Sequence, residues 1–169
     1  EESYGYLVKS FVRDKDAVQA VLLLTEVAAH FKNEGKTLYD GLQALYAKHG
    51  YFLEKTISVT VAGLEGPQKI KALLDGLRAS VPTNFGGLKV ALAQDFAVNE
   101  QKDANGVVSE IGLPTSNVLK YILEDGSWIA VRPSGTEPKI KFYIGAKADN
   151  EAAAKDKVAA LQADLEKLQ

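Results

Sequence analysis

The strongest pattern in the sequence is a period-two repeat of large apolar residues on both sides of a short polar segment, residues 133–138. Residues 129–132 read IAVR, and residues 139–144 read KIKFYI. A period of two indicates half-buried strands, with the isoleucines, the valine and the phenylalanine on the inner faces. The outer faces then carry Arg132 at the end of the first strand and Lys141 near the start of the second.

The rest of the chain predicts further helices and strands. Helical spacing of apolar residues indicates a helix over residues 17–31, a helix opened by Thr37 and closed by Gly50, a helix beginning at Pro67, and a closing helix capped by Asn150. Strand patterns cover residues 56–62, 88–96, 117–124 and 127–132, and residues 101–106 form a polar loop. The last two strands flank Asp125-Gly126, a dipeptide typical of type I′ hairpin turns.

These elements predict an α+β domain over residues 52–169, preceded by a helical piece, residues 1–51. Two helices in about 50 residues cannot bury a core of their own. The helical piece therefore needs missing strands, or the following domain, to cover its apolar faces. The absence of methionine in turn indicates a chain trimmed or cut from something longer.

The composition of the chain excludes several classes of protein. The chain has 169 residues, of which 46% are hydrophobic and 25% charged, as in ordinary globular proteins. Its net charge of −2 argues against a nucleic-acid or membrane-surface partner. The given sequence shows no signal-peptide pattern and no apolar run long enough to span a membrane, so we expect neither export nor membrane insertion. Without cysteine it can form neither disulfides nor thiolate metal sites, which is typical of a cytoplasmic protein.

The polar segment between the alternating strands has the chemistry of an anion site. Ser134 and Thr136 flank Gly135, which tolerates positive φ and close ligand approach. With Arg132 and Lys141 beside free backbone N–H groups, this set suits a phosphate dianion. The alternative is a polar turn between two strands, and composition alone does not choose between them. A Walker-type loop is excluded because no GxxxxGK[ST] occurs.

The sequence RPSGTEPKIKFY resembles the phosphate-binding loop in the last domain of the α-D-phosphohexomutases, in particular the bacterial phosphoglucomutase branch. The first residues, EESYGYL, resemble the sugar-recognition loop in the third of the four domains of that family. The resemblance implies that residues 1–51 end an α/β third domain. It also implies that residues 52–169 form the whole fourth domain, an α+β fold similar to the TATA-binding protein.

The resemblance also implies roles for single residues. The phosphate would be held by Arg132, Ser134, Gly135, Thr136 and Lys141. Sugar hydroxyls would be held by Glu1 and Ser3. Lys15 aligns with a lysine that some phosphoglucomutases bring close to the sugar, for binding or proton transfer, although a solvated lysine before a helix is an equal alternative. Glu137 would repel the phosphate, and we expect it to point away and pair with Lys139.

We expect no metal site and no catalytic residue in the chain. Asp14 and Asp16 are better explained as helix caps than as metal ligands, and His30 and His49 are isolated from any nucleophile pattern. In the family, a phosphoserine in the first domain transfers the phosphoryl group, and an aspartate-rich loop in the second holds Mg²⁺. The resemblance therefore implies that both lie in missing N-terminal domains of the same protein.

The leading hypothesis is the substrate-recognition part of a phosphoglucomutase, which interconverts glucose 1-phosphate and glucose 6-phosphate through glucose 1,6-bisphosphate. The part alone would be inactive. Two alternatives are a free-standing sugar-phosphate-binding module without catalysis, and a parent enzyme acting on mannose or pentose phosphates. Nucleic-acid binding through a sheet like that of the TATA-binding protein conflicts with the net charge.

Overall fold

A computed structural model of the chain describes residues 7–9, 11 and 13–168. The chain divides into two compact units, Glu1–Gly50 and Tyr51–Gln169. Among the described residues, no helix has both the length and the apolar character needed to cross a bilayer.

The described elements of the first unit are two helices, α1 (Ala17–Asn33) and α2 (Leu38–His49). The carboxylate of Asp16 accepts hydrogen bonds from the backbone N–H groups of Val18 and Gln19, and so caps α1. A reciprocal capping box between Thr37 and Asp40 opens α2. Gly50 ends α2 with a φ of 94°, a conformation that glycine adopts without strain. The caps expected from the sequence are therefore confirmed, with Asp16 rather than Asp14 at α1.

The two helices approach closely at Gly41, where an added Cβ would lie 2.4 Å from Cζ of Phe31. No residue of α1 is buried in this structure, and of α2 only Gly41 is. Large apolar side chains such as Val18, at 81% exposure, remain on the surface of α1. This agrees with the expectation that two helices of this length cannot bury a core by themselves.

The second unit is an antiparallel sheet with two helices. Its elements, in chain order, are β1 (Tyr51–Thr60), α3 (Gly66–Ala79), β2 (Asn84–Phe85), β3 (Leu88–Asp95), β4 (Glu100–Asp103), β5 (Val108–Glu110), β6 (Leu119–Leu123), β7 (Trp128–Pro133), β8 (Lys139–Ala148) and α4 (Glu151–Glu166). The strand order is β1-β8-β7-β6-β3-β4-β5, and β2 pairs with β3. The predicted α+β class is confirmed, and the likeness to the TATA-binding protein stays a prediction.

The core lies between one face of the sheet and the two helices. Alternate residues of β6, β7 and β8 are buried, and Ile70, Leu74 and Leu77 of α3 meet them. From α4, Val158, Leu161 and Leu165 complete the cluster, as the helical stripes in the sequence predict. Fully burying one such side chain stabilises the fold by about 1.5–3 kcal/mol. The core therefore fixes the β7–β8 hairpin from one side and leaves its other face outward.

Two segments differ from the sequence prediction. β1 begins at Tyr51 rather than residue 56, since it pairs with β8 along its whole length although Lys55 interrupts the apolar alternation. Of the predicted polar loop at residues 101–106, residues 101–103 lie in β4, which pairs with both β3 and β5, and the predicted turn at Asn105-Gly106 follows it. β4 and the edge strand β5 contain no buried residue and carry no apolar alternation, so backbone pairing rather than side-chain burial defines them.

The turn between β6 and β7 is not the predicted type I′ turn. Only Gly126 has positive φ, at 83°, whereas type I′ requires positive φ at both central residues. The Gly126 N–H donates to the carbonyl of Leu123, and the Leu123 N–H donates to the carbonyl of Ser127. This is the pattern of a three-residue loop, residues 124–126, that ends in a left-handed glycine.

Candidate anion site on the β7–β8 hairpin

The β7–β8 hairpin places two cations on the outward face of the sheet. Arg132 and Lys141 are directly opposite each other in the antiparallel register. Opposed residues project from the same face, with Cβ atoms about 5 Å apart. Arg132 is exposed and Lys141 is half-buried. The sheet therefore concentrates two positive charges at the end of the hairpin where the polar segment begins.

Backbone hydrogen bonds hold the polar segment, residues 133–138, at both ends. The N–H of Ser134 donates to the carbonyl of Lys139 at 2.8 Å, which continues the β7–β8 ladder into the loop. The N–H of Val61 donates to the carbonyl of Pro138 at 2.9 Å. Both prolines restrict φ as well. The loop is thus attached both to its own hairpin and to the segment that follows β1.

The hydroxyl of Ser134 organises the inside of the loop. Its oxygen accepts hydrogen bonds from the N–H groups of Thr136 at 3.3 Å and Glu137 at 3.2 Å. The sequence predicted a loop with free N–H groups, and for these two the prediction is wrong, because a local side-chain acceptor satisfies them. Among the described residues, the Gly135 N–H has no acceptor. Ser134 therefore fixes the loop and can still donate its hydroxyl hydrogen to a ligand.

Gly135 lies in open space at the tip of the loop. An added Cβ would have no heavy atom within 4 Å, and the φ of Gly135 is not positive. The sequence-based argument from positive φ therefore does not apply here. Close ligand approach remains as a reason for glycine, since a side chain at this position would occupy part of the open space at the tip of the loop.

The carboxylate of Glu137 pairs with Lys139, as expected. The Lys139 Nζ lies 3.1 Å from Oε2 of Glu137, with side-chain exposures of 29% and 61%. This pair neutralises the one negative charge in the loop and also engages Lys139.

Sequence reasoning missed two further residues on the same outward face. Lys120 of β6 is opposite Ala130 of β7, and its Nζ lies 5.0 Å from the centroid of the Trp128 ring. The indole of Trp128 lies across β8 at Gly145, where an added Cβ would meet Nε1 at 2.2 Å. The available signal was the period-two spacing of β6, which places Lys120 on the face of Arg132.

Lys15 and the neighbouring aspartates belong to the first unit. The Lys15 Nζ lies 3.4 Å from Oδ1 of Asp14, which also accepts the backbone N–H of Lys15 at 2.8 Å. These hydrogen bonds, the backbone one foremost, lower the pKa of Asp14. Asp16 caps α1 with its carboxylate. Both carboxylates are thus engaged in local hydrogen bonds rather than aimed at a common point.

The remaining sequence expectations concern the sugar loop and metal ligands. Glu1 and Ser3 lie outside the described residues. Within the described ranges, no three His, Asp or Glu side chains are grouped so that they could hold a metal ion.

Comparison with known proteins identifies the family. The family model for the C-terminal domain of phosphoglucomutase/phosphomannomutase matches residues 67–164. The chain belongs to this family. A second model, for the alpha/beta/alpha domain III of the same enzymes, matches residues 1–49. The polar segment and its flanking strands lie inside the C-terminal-domain match.

Individual phosphoglucomutases match a larger part of the chain than the C-terminal-domain model does. The phosphoglucomutase of Staphylococcus haemolyticus is 44% identical over 151 residues, covering 89% of this chain and 27% of the relative. That of Staphylococcus epidermidis is 45% identical over 151 residues, covering 89% and 28%. This chain resembles the C-terminal part of a bacterial phosphoglucomutase, and spans about a quarter of the length of these relatives.

Among solved structures, one match is the open form of the exocytosis-sensitive phosphoprotein pp63/parafusin, a phosphoglucomutase from Paramecium. The TM-score is 0.59 at 20% identity, covering 92% of this chain and 26% of the other. At this identity the likeness supports the fold alone.

Proposed function

We propose that this chain is the substrate-recognition part of a phosphoglucomutase that interconverts glucose 1-phosphate and glucose 6-phosphate. The observation that carries the proposal is the register of β7 and β8, which opposes Arg132 and Lys141 beside the Ser134 loop. A guanidinium can bind two oxygens of one phosphate, and an ammonium adds a second charge-assisted contact. The two cations balance the charge of a phosphate dianion.

Each residue of the site has a distinct task in this proposal. Arg132 and Lys141 bind the phosphate that is not reacting, and the hydroxyls of Ser134 and Thr136 donate to its oxygens. Gly135 lets the phosphate approach the backbone. Because the site binds only a phosphate group, it serves substrate and product equally, as an enzyme that moves a phosphoryl group between two positions of one sugar requires.

The other roles rest on the family resemblance. We assign residues 1–51 to the end of the sugar-recognition domain and residues 52–169 to the phosphate-binding domain. Glu1 would accept hydrogen bonds from sugar hydroxyls, and Ser3 would form hydrogen bonds with them. Lys15 would bind near the sugar or transfer a proton. We assign Mg²⁺, the phosphoserine and the site for glucose 1,6-bisphosphate chemistry to N-terminal domains of the same protein, and a cytoplasmic location to the whole.

The site is tested by titrating the chain with inorganic phosphate and with glucose 6-phosphate, followed by amide NMR. We expect binding in the millimolar range, about −4 kcal/mol, with shifts centred on residues 132–141. Arg132→Ala should abolish most of the binding, and Arg132→Lys should retain part of it because the charge remains without the bidentate fork.

Lys55→Ala is the matched control, since Lys55 is exposed and opposes the buried Ile144, on the other face of the sheet. It should bind phosphate like the unchanged chain. Loop amides that do not move at saturating phosphate, or an equal loss of affinity in Lys55→Ala and Arg132→Ala, would contradict the proposed site.

A further inference from the structure

The outward face of the second unit carries a third cation within reach of the proposed phosphate site. Lys120 is opposite Ala130, and Ala130 is two residues from both Trp128 and Arg132 along β7. Lys120 is therefore the diagonal neighbour of both, with Cβ separations of about 7–8 Å. A lysine side chain spans that distance easily, so its ammonium can lie over the indole or move toward the guanidinium.

In the structure the Lys120 ammonium lies over the indole. Its Nζ is 5.0 Å from the ring centroid, a cation–π distance. At a half-exposed site this contact is weak, on the order of 0.5–1 kcal/mol. A charge-assisted hydrogen bond to a phosphate oxygen is stronger, about 1.5–3 kcal/mol. A phosphate at Arg132 therefore competes effectively for Lys120.

The indole itself is held in place. It lies across Gly145, the residue opposite Trp128 in β8, and any side chain at position 145 would collide with it. The residue between Lys120 and β8 is Ala130, whose side chain is small. Trp128 thus holds the Lys120 ammonium in a cation–π contact beside the proposed phosphate site.

We propose that Lys120 is a third cationic ligand of the anion bound at Arg132 and Lys141, and that it moves from the Trp128 ring to the anion on binding. This inference rests on the proposed function of the hairpin. A third cation favours a doubly charged phosphate over a singly charged anion of similar size, and so defines the ligand class as dianionic phosphate esters.

Trp128 allows a direct test, because it is the one tryptophan of the chain. Departure of the ammonium changes the electrostatic environment of the indole, so its fluorescence emission should change with phosphate concentration. The midpoint should equal the dissociation constant from amide NMR. In Lys120→Met the apolar stem remains, yet the emission change should vanish, and phosphate affinity should fall about three- to tenfold.

Two variants serve as controls. Lys120→Arg keeps a cation and should retain most of the affinity, which separates charge from packing. Lys147→Met removes another cation–π contact on the same face, at 5.7 Å from the Phe52 ring. Lys147 is opposite Phe52, six residues along β8 from Lys141, so this variant should bind phosphate like the unchanged chain.

The outcomes separate this inference from the proposed function. If the loop amides shift with phosphate and Lys120→Met keeps the original affinity, the role of Lys120 is wrong but the proposed function stands. An emission spectrum that does not change with bound phosphate overturns the movement from Trp128. If no loop amide shifts in the unchanged chain, the proposed function and this inference fail together.

Discussion

At the scale of single residues, Gly135 separates a ligand site from a simple turn. A turn needs glycine where φ is positive or space is short, and neither condition holds at Gly135. The position is therefore free to accept a side chain as far as folding is concerned. A ligand that approaches the loop backbone would give glycine an advantage there.

We predict that Gly135→Ala leaves the stability of the chain within about 0.5 kcal/mol, because the new methyl group has no neighbour. If phosphate approaches the loop backbone at Gly135, its binding should weaken at least about tenfold, since the methyl group adds bulk at the tip of the loop. Urea unfolding measures the first effect, and phosphate titration by NMR measures the second.

Gly76→Ala is the matched control, because Gly76 also has open space and lies in α3. Alanine there should stabilise the helix by about 1 kcal/mol and leave phosphate binding unchanged. A Gly135→Ala chain that binds phosphate as well as the unchanged chain would favour the interpretation as a simple polar turn.

At the scale of elements, a polar network joins α4 to the sheet. Ser127 is fully buried; its hydroxyl donates to Oδ2 of Asp125 at 3.1 Å and accepts from the N–H of Lys147 at 3.1 Å. The ammonium of Lys157 in α4 bonds both to Asp125 and to the carbonyl of Lys147. This network links the β6–β7 turn, β8 and α4 at one point.

The network predicts an acid-dependent contribution to stability. Burial acts to raise the pKa of Asp125, but hydrogen bonds from Lys157 and Ser127 outweigh it, so the pKa lies below its ordinary value of 3.8. A carboxylate with a lowered folded-state pKa stabilises the fold above its unfolded pKa. That contribution is lost as pH falls through the folded-state pKa.

Asp125→Asn should therefore lower the free energy of unfolding by about 1–3 kcal/mol at pH 7, and by much less near pH 2. Urea unfolding at both pH values measures this. Asp156→Asn, at an exposed position of α4, is the control, and its free energy of unfolding should stay close to that of the unchanged chain. If Asp125→Asn lowered the free energy of unfolding by the same amount at both pH values, the proposed role of the charged carboxylate would be wrong.

At the scale of the whole molecule, the chain covers about a quarter of the length of its staphylococcal relatives. In the proposed function, the groups that transfer the phosphoryl group lie in N-terminal domains of the same protein. We predict that the purified chain does not interconvert glucose 1-phosphate and glucose 6-phosphate, even with glucose 1,6-bisphosphate and Mg²⁺ present. A coupled assay for glucose 6-phosphate measures this.

The staphylococcal phosphoglucomutase serves as the positive control in that assay. Turnover by the chain that exceeds a blank without protein, and that Arg132→Ala abolishes, would show that the chain carries the reacting groups itself. The Arg132→Ala arm is needed because a contaminating enzyme would give turnover in both preparations.

The sequence by itself determined the features that depend on local patterns. The period of two in β6, β7 and β8 follows from burying alternate residues such as Ile129 and Phe142. The helix cap at Thr37 follows from satisfying the first N–H groups of a helix, whereas the choice of Asp16 over Asp14 at α1 came from the structure. The phosphate-loop motif around Arg132 could also be recognised in the sequence, since its residues are contiguous.

Only the tertiary structure decided which distant residues meet. The pairing of β4 with β3 and β5 depends on backbone partners, so no alternation marks β4 in the sequence. The hydroxyl of Ser134 turned inward because two loop N–H groups lacked another acceptor. The register of β6 against β7 placed Lys120 between Trp128 and Arg132. Register is a relation between strands, and the pattern of one strand alone cannot specify it.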